Sequence, residues 1–394
     1  MLQKFIIKGR KKIFENVEFY YWLLFVLITY FLFNRLLQKL SYVVLGNRWV
    51  DLRIGESVLF GLTYIIVLIS CWFLRKRIPF FIFLCWGGLI FIFFINELSF
   101  AWTVPNYDII QSISKGQAYY TAKLTMPLLF WGVWSELDKR SLYGVKLINY
   151  LKFILLVNSI LIIIGVCFNV SVFESYPLSG RWGYSGILWH LSFHSFIYGI
   201  YLMYLLKEKK RRWDLIILFS LALFFLGQKA GLLYLFLIYC LIFITNNYLR
   251  LCMITTFVIG AFSSHFWVPY VISFSTFWQS VYNQHGVWGV LLSLRNKNIK
   301  EAWNEISSDF NIYDILFGGV IRYPISLEMM PLDIFIYFGL IGVFLLILFY
   351  LKIIKEFGWS IPLVVACVAG GIYEAPMAIM IYFVFLKLNE NVKA

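Results

Sequence analysis

The sequence predicts an all-α, polytopic integral membrane protein with about twelve transmembrane helices and one long outer loop. Three observations predict it. Hydrophobic residues fill 61% of the 394 positions and charged residues only 14%, whereas a soluble domain is about half apolar and a quarter charged. The apolar residues come in long runs, each close to the roughly 20 residues that a helix needs to cross a bilayer core. Inside lipid only helices and closed barrels satisfy their backbone groups, and a barrel would alternate polarity in strands of about 10 residues. The basic residues gather at the ends of alternate runs, which is the positive-inside pattern. A net charge of +14 therefore marks membrane orientation; no single basic stripe suits a nucleic acid.

The elements follow in order. Residues 1–18 carry Lys4, Lys8, Arg10, Lys11 and Lys12 and belong inside. No small-residue cleavage site follows the first apolar run, so it reads as an uncleaved anchor. Spans are expected at 19–33, at 57–74 (ending at Arg75-Lys76-Arg77) and at 79–95. An outer segment over 96–118 leads to a span at 119–134, with Lys139 and Arg140 inside. After a span at 148–168, an outer loop carries Arg181; the span at 186–206 stops at Lys207-Glu208-Lys209-Lys210-Arg211-Arg212. Residues 214–245 are interrupted by Gly227-Gln228-Lys229 and read as two short helices, a hairpin with its tip outside. A ninth span at 251–268 precedes the long outer loop, 269–331, and the tenth occupies 332–351, with Lys352 and Lys355 inside. Residues 358–388 form a second hairpin, broken near Gly370-Gly371 and Glu374-Ala375-Pro376. The whole of 1–394 is one transmembrane domain with both termini inside.

Absent motifs narrow the chemistry. There is no GxxxxGK[ST] phosphate loop and no HExxH. The six cysteines all fall in apolar runs without a CxxC pair, so neither disulfides nor a metal cluster is expected. Of the four histidines, His190 and His194 share a helix face. Two ligands do not complete a metal site, so a buried polar pair is the better reading.

What is left is a set of cations on the outer side: Arg181 in GRWGYSG (180–186), Lys229 in LGQKAGLL (226–233), Arg295 in SLRNKNIKEAW (293–303), and Arg322 after LFGG (316–319). Basic residues are disfavoured there and a membrane-buried cation is costly, so each calls for an anion. Glu174, Asp309, Asp314 and Glu328 are available carboxylates. A ligand phosphate is the alternative, matched bidentately by arginine. Arg295 shares a helical stripe with Ile299, Ala302, Trp303, Ile306 and Phe310. Either it snorkels to the headgroups or it points into a cleft. Asp333 suits a helix N-terminus. Glu328 is either a general base or a partner of Arg322. The outer aromatics Trp102, Tyr107, Trp182, Tyr184, Trp278, Tyr282 and Trp288 stack on sugars or form the interfacial belt. His285 lies in the long loop.

Over roughly 150–390, the arginine of GRWGYSG, the tip GQKAG, the loop opening SLRNKNIKEAW, and LFGG followed by EMMPLDIFIYFGLIG (328–342) resemble, in this order, the bacterial O-antigen polymerase (Wzy) and O-antigen ligase superfamily. The resemblance implies a metal-independent membrane glycosyltransferase without a cofactor, multi-pass in the bacterial cytoplasmic (inner) membrane. Its long loop would be periplasmic and both termini cytoplasmic. It would join oligosaccharide repeat units carried on undecaprenyl diphosphate, for O-antigen, capsule or exopolysaccharide. Partners would be that lipid-linked oligosaccharide, membrane lipids and a chain-length regulator protein, with no nucleic acid. Catalytic roles would fall to Arg181 and Arg295, which hold the departing diphosphate, and to Glu328 as base. Lys229, Arg322, His285 and Trp303 would bind substrate. The family tip usually carries Ser-Arg, where this chain has Gln228-Lys229. Ligases carry a histidine where this chain has Glu328-Met329-Met330, which favours a polymerase. The alternatives are an O-antigen ligase acting on lipid A core or protein, and a lipid-linked-sugar flippase or transporter. A transporter would place ionisable groups near the midplane, and here they crowd the outer edge.

Overall fold

The computed structural model describes residues 16–45, 53–103, 107–137, 142–176, 181–188, 191–208, 211–243, 247–273, 275–306, 311–318, 329–369 and 376–393. Over these the chain is helical, with one isolated bridge between Glu174 and Tyr184. The α-helices are α1 Val17–Leu45, α2 Arg53–Leu74, α3 Phe80–Thr103, α4 Tyr107–Leu137, α5 Leu142–Phe168, α6 Leu191–Lys207, α7 Trp213–Phe225 and α8 Lys229–Ile238. They continue as α9 Asn247–Phe262, α10 Ser264–Ile272, α11 Thr276–Leu291, α12 Arg295–Ile306, α13 Ile312–Phe317, α14 Met330–Ile353, α15 Ile361–Ala369 and α16 Pro376–Lys393.

Among the described residues, four helices are long and apolar enough to cross a membrane: Val17–Val43, Phe80–Ser99, Leu142–Phe168 and Met330–Ile353. The pair Asn247–Gly260 and Ser264–Tyr270, bent by 54°, makes a fifth if it is one broken span. Val58–Leu74, Trp213–Phe225, Lys229–Leu241, Phe357–Val368 and Pro376–Asn389 are apolar but shorter.

A helix that is apolar all round is one that gets buried, and α16 is the example. Its residues Ala378 to Phe385 are at most 1% exposed, against α4, α5 and α6. The exterior is apolar too: Trp72, Phe80, Phe91, Phe153 and Phe344 are all exposed. Water tolerates contiguous patches of that kind poorly; lipid solvates them.

The two ends of the bundle are fastened differently. At one end Lys207 Nζ lies 2.6 Å from Glu356 Oε2, and Asn389 Nδ2 donates to Glu356 Oε1 at 2.9 Å. This joins the C-terminal ends of α6 and α16 to the chain just after α14. At the other end Asn96 of α3 is buried and donates to the carbonyls of Phe317 at 3.0 Å and Tyr337 at 3.2 Å. Gly339, with φ +61° and ψ −168°, interrupts α14 just after Tyr337. The Asn96 amide thus takes up a carbonyl near the break and docks the end of α13 against it.

Three boundaries differ from the sequence reading. The outer segment expected over 96–118 is largely helix, because α3 runs to Thr103 and α4 begins at Tyr107. Polar residues such as Gln111 and Ser112 end an apolar run but not a helix; only glycine and proline are strong breakers. The span expected from 186 starts at Leu191, and residues 181–188 are irregular. The stretch expected as a ninth span is two helices bent by 54°, and α10 carries helix past 268 to Ile272, so the stretch placed at 269–331 opens inside a helix. That stretch has its own small apolar core of Val268, Ile272, Val281, Val287 and Val290.

Candidate functional site

The site forms where the α7–α8 break meets the segment after α5. In that segment Ser175 N–H donates to the Gly183 carbonyl at 2.8 Å, and Ser185 N–H to the Phe173 carbonyl at 2.8 Å. Helix α7 ends in carbonyls with no intrahelical donor, and this segment supplies donors. Tyr184 N–H bonds the Phe225 carbonyl at 2.7 Å, and Ser175 Oγ bonds that of Leu226 at 2.8 Å. The two backbones cross at Gly183 and Gly227. A Cβ on Gly227 would lie 2.3 Å from the Trp182 carbonyl oxygen, and one on Gly183 would lie 2.4 Å from that of Leu226. Their φ values, +143° and +68°, are ones that only glycine adopts freely. The glycines of GRWGYSG and LGQKAG are therefore two halves of one crossing, and it brings Arg181 beside Lys229.

Two further side chains fix the segment. Lys39 of α1, wholly buried, donates to Ser185 Oγ at 2.8 Å and to the Gly186 carbonyl at 2.6 Å. Asn158 Oδ1 of α5 accepts from Ile187 N–H at 2.9 Å. Sequence reasoning missed both. Asn34, Gln38 and Lys39 are all buried, but only Asn34 and Gln38 share a helix face; Lys39, directly after Gln38, does not, so no spacing marked it.

The third cation arrives on the long loop. Ser293 and Leu294 have φ values of +53° and +69°. Left-handed backbone at non-glycine residues costs about 1 kcal/mol or more each and concentrates at functional sites. This turn ends α11 and starts α12, whose first residue, Arg295, is 9% exposed. Arg295 Nη1 donates to the Leu292 carbonyl at 3.3 Å.

Two of the three cations meet at the Trp278 ring of α11, and the third, Arg295, acts electrostatically on one of them, Lys229. The Arg181 guanidinium lies 4.9 Å from the Trp278 ring centre, 5.0 Å from that of Phe277 and 3.9 Å from that of Tyr176. Lys229 Nζ lies 4.2 Å from the Trp278 centre and donates to the Leu291 carbonyl at 3.2 Å. Arg181 and Arg295 both act electrostatically on Lys229. Lys229 opens α8, at a break outside all four helices of spanning length. Arginine stays charged throughout. Chemically this is a cluster of positive charge set against aromatic rings, suited to an anion.

Of the residues singled out from sequence, the structure brings Arg181, Lys229 and Arg295 together. His285 is half-buried on α11, one residue before a break at Gly286. Trp303 on α12 is 58% exposed. Arg322, Glu328 and His190 lie outside the described residues. His194 is buried; next to it, Ser195 Oγ donates to Gln228 Oε1. Asp333 Oδ2 accepts from Met329 N–H at 3.1 Å, capping the start of α14. Trp278 is the aromatic that the sequence left undecided between sugar stacking and the interfacial belt; here it is the ring shared by two cations.

The fold and site define a helical protein that has, among the described residues, four helices long and apolar enough to cross a membrane and a cation cluster with aromatic neighbours at one end of its bundle. The chain matches no family model, no curated protein and no solved structure.

Proposed function

We propose that this protein is a polysaccharide polymerase. It joins oligosaccharide repeat units carried on undecaprenyl diphosphate, at the outer face of the bacterial cytoplasmic membrane, for O-antigen, capsule or exopolysaccharide. In this reading the chain crosses about twelve times, its hairpins and broken helices included, with both ends in the cytoplasm.

One observation carries the reading. Arg181, Lys229 and Arg295 come from three segments far apart in sequence and gather at one place: Arg181 and Lys229 share the Trp278 ring, and Arg295 acts electrostatically on Lys229. They do so at the end of α7 remote from the basic cluster that precedes it. A departing diphosphate gathers negative charge as the glycosidic bond breaks, and fixed cations aimed at that charge lower the barrier. Arg181 and Arg295 supply planar forks for phosphate oxygens, already held in place by the glycine crossing and the Ser293-Leu294 turn. The half-buried setting strengthens those contacts relative to water. Glu328 is the sequence candidate for deprotonating the acceptor hydroxyl.

The test is deletion of this chain's gene, with surface glycan length read on a gel. A polymerase loss leaves single repeat units on the surface. A ligase loss leaves long chains on the lipid carrier, and a flippase loss leaves repeat units on the inner leaflet. Either of the last two outcomes replaces the proposal.

A further inference from the structure

Building on the diphosphate reading above, we propose that the first turn of α8, together with the Gln228 amide, is a second phosphate seat, and that this seat makes the site prefer a diphosphate to a monophosphate.

The Gln228 amide is turned the wrong way for a cap. Gln228 precedes α8, and its extended backbone (φ −104°, ψ 134°) is that of a helix N-cap. A capping side chain turns its oxygen toward the first-turn N–H groups, which have no acceptor within the helix. Gln228 does the opposite. Its Oε1 is taken by the Ser195 hydroxyl of α6, and its side chain makes no bond to the turn. The amide nitrogen is left over: Gln228 is 6% exposed, and Nε2 is buried without a hydrogen-bond partner. A donor thus stands where the turn calls for an acceptor.

The turn itself is shut off from solvent. Ala230 is buried. Gly231 is buried so close to α7 that a Cβ on it would lie 2.8 Å from the Leu223 carbonyl oxygen. Buried donors without acceptors are costly, and the head of α8 and the Gln228 amide share that deficit. No acidic residue lies in this first turn to relieve it. An anion would, because N–H groups and the helix dipole both favour one at a helix N-terminus.

Lys229 ties this seat to the cation cluster. Its backbone opens α8, while its side-chain nitrogen ends 4.2 Å from the Trp278 ring centre, with Arg181 on the same ring at 4.9 Å. One stretch of chain therefore offers a lipid-linked anion two places: cations at the side-chain tips and N–H donors at the backbone. A diphosphate has two phosphates to fill them, and a monophosphate has one. The first seat attracts any phosphate by charge. The second, built from neutral donors of fixed direction, tells one phosphate from two. A lipid diphosphate is held and a lipid monophosphate is let go.

The test compares geranyl diphosphate with geranyl monophosphate, both water-soluble, by calorimetry on the purified full chain in detergent at pH 8. The wild type is expected to bind the diphosphate about tenfold or more tightly. Gln228→Met removes the donor; it should lower diphosphate affinity about tenfold and leave monophosphate affinity unchanged. A role in packing alone would weaken both probes together. Gln228→Glu keeps an acceptor for Ser195 and puts a carboxylate oxygen in the seat. Without ligand it should unfold at a higher temperature than the wild type, as a filled anion site does, and the preference for diphosphate should be gone. Gln228→Glu decides alone where Gln228→Met does not fold. Four results overturn the proposal: equal affinity of the wild type for both probes, a preference that survives in either variant, both probes weakened alike in Gln228→Met, or a lower unfolding temperature for Gln228→Glu. If the wild type binds neither probe, the diphosphate reading itself fails, and this inference with it.

Discussion

Lys229 carries its side-chain nitrogen 4.2 Å from the centre of the Trp278 ring, across the join between the helix bundle and the long loop. The same ring faces Arg181 from 4.9 Å. One indole thus spaces two like charges that would otherwise drift apart. A desolvated cation–π contact is worth about 2 kcal/mol, so losing both should be visible. Trp278→Ala is expected to cut polymer synthesis at least about tenfold, while Trp278→Phe keeps most of it. The measurement is the surface-glycan ladder, normalised to inserted protein. Equal ladders from Ala and wild type would remove the ring from the site.

Arg181→Lys and Arg295→Lys keep the charge and lose the fork. If the grip is bidentate, each should lower the transfer rate by about a hundredfold, close to the Ala variants. The rate is read in isolated membranes as the appearance of repeat-unit dimers. Wild-type rates in both lysine variants would refute the bidentate grip.

Gly227→Ala adds no charge and removes none, yet its new Cβ would meet the Trp182 carbonyl oxygen at 2.3 Å. The φ of +68° alone costs about 1 kcal/mol for alanine, before the clash. Gly61→Ala is the control, since nothing lies within 4 Å of its added Cβ. Thermal unfolding in detergent should fall clearly for Gly227→Ala and stay level for Gly61→Ala. Polymer should vanish only in the first.

Lys39→Met leaves Ser185 Oγ and the Gly186 carbonyl without the donor that now serves both. A buried polar group deprived of its partner costs about 1–3 kcal/mol. The expected result is a lower unfolding temperature together with lost polymer, although Lys39 is not one of the cations around Trp278. A variant as stable and active as wild type would show that the clamp is dispensable.

Much of this was legible in the sequence, and the limit is physical. The interruption at Gly227-Gln228 showed because an apolar run contained a glycine and a polar pair, and α7 and α8 end and begin there. Arg295 at the head of an amphipathic helix showed through spacing, and α12 starts with it. The meeting of Arg181 with Lys229 did not show, because the crossing of Gly183 and Gly227 is a contact between distant segments that no local pattern encodes. Asn96 looked like the start of an outer segment, since polarity alone cannot separate a helix leaving the membrane from one carrying a buried hydrogen-bonding side chain. The left-handed pair Ser293 and Leu294 was invisible for a different reason: neither residue type favours that backbone, so tertiary contacts impose it.

The bond from Lys229 to the Leu291 carbonyl has a consequence for engineering. Trp278 and Leu291 both sit on α11 and both must reach the same lysine. The helix breaks at Gly286 between them, so the geometry of that break sets how the indole and the carbonyl face each other. A loop transplanted from another protein would therefore have to reproduce that break, or its tryptophan and its carbonyl would not reach the lysine together.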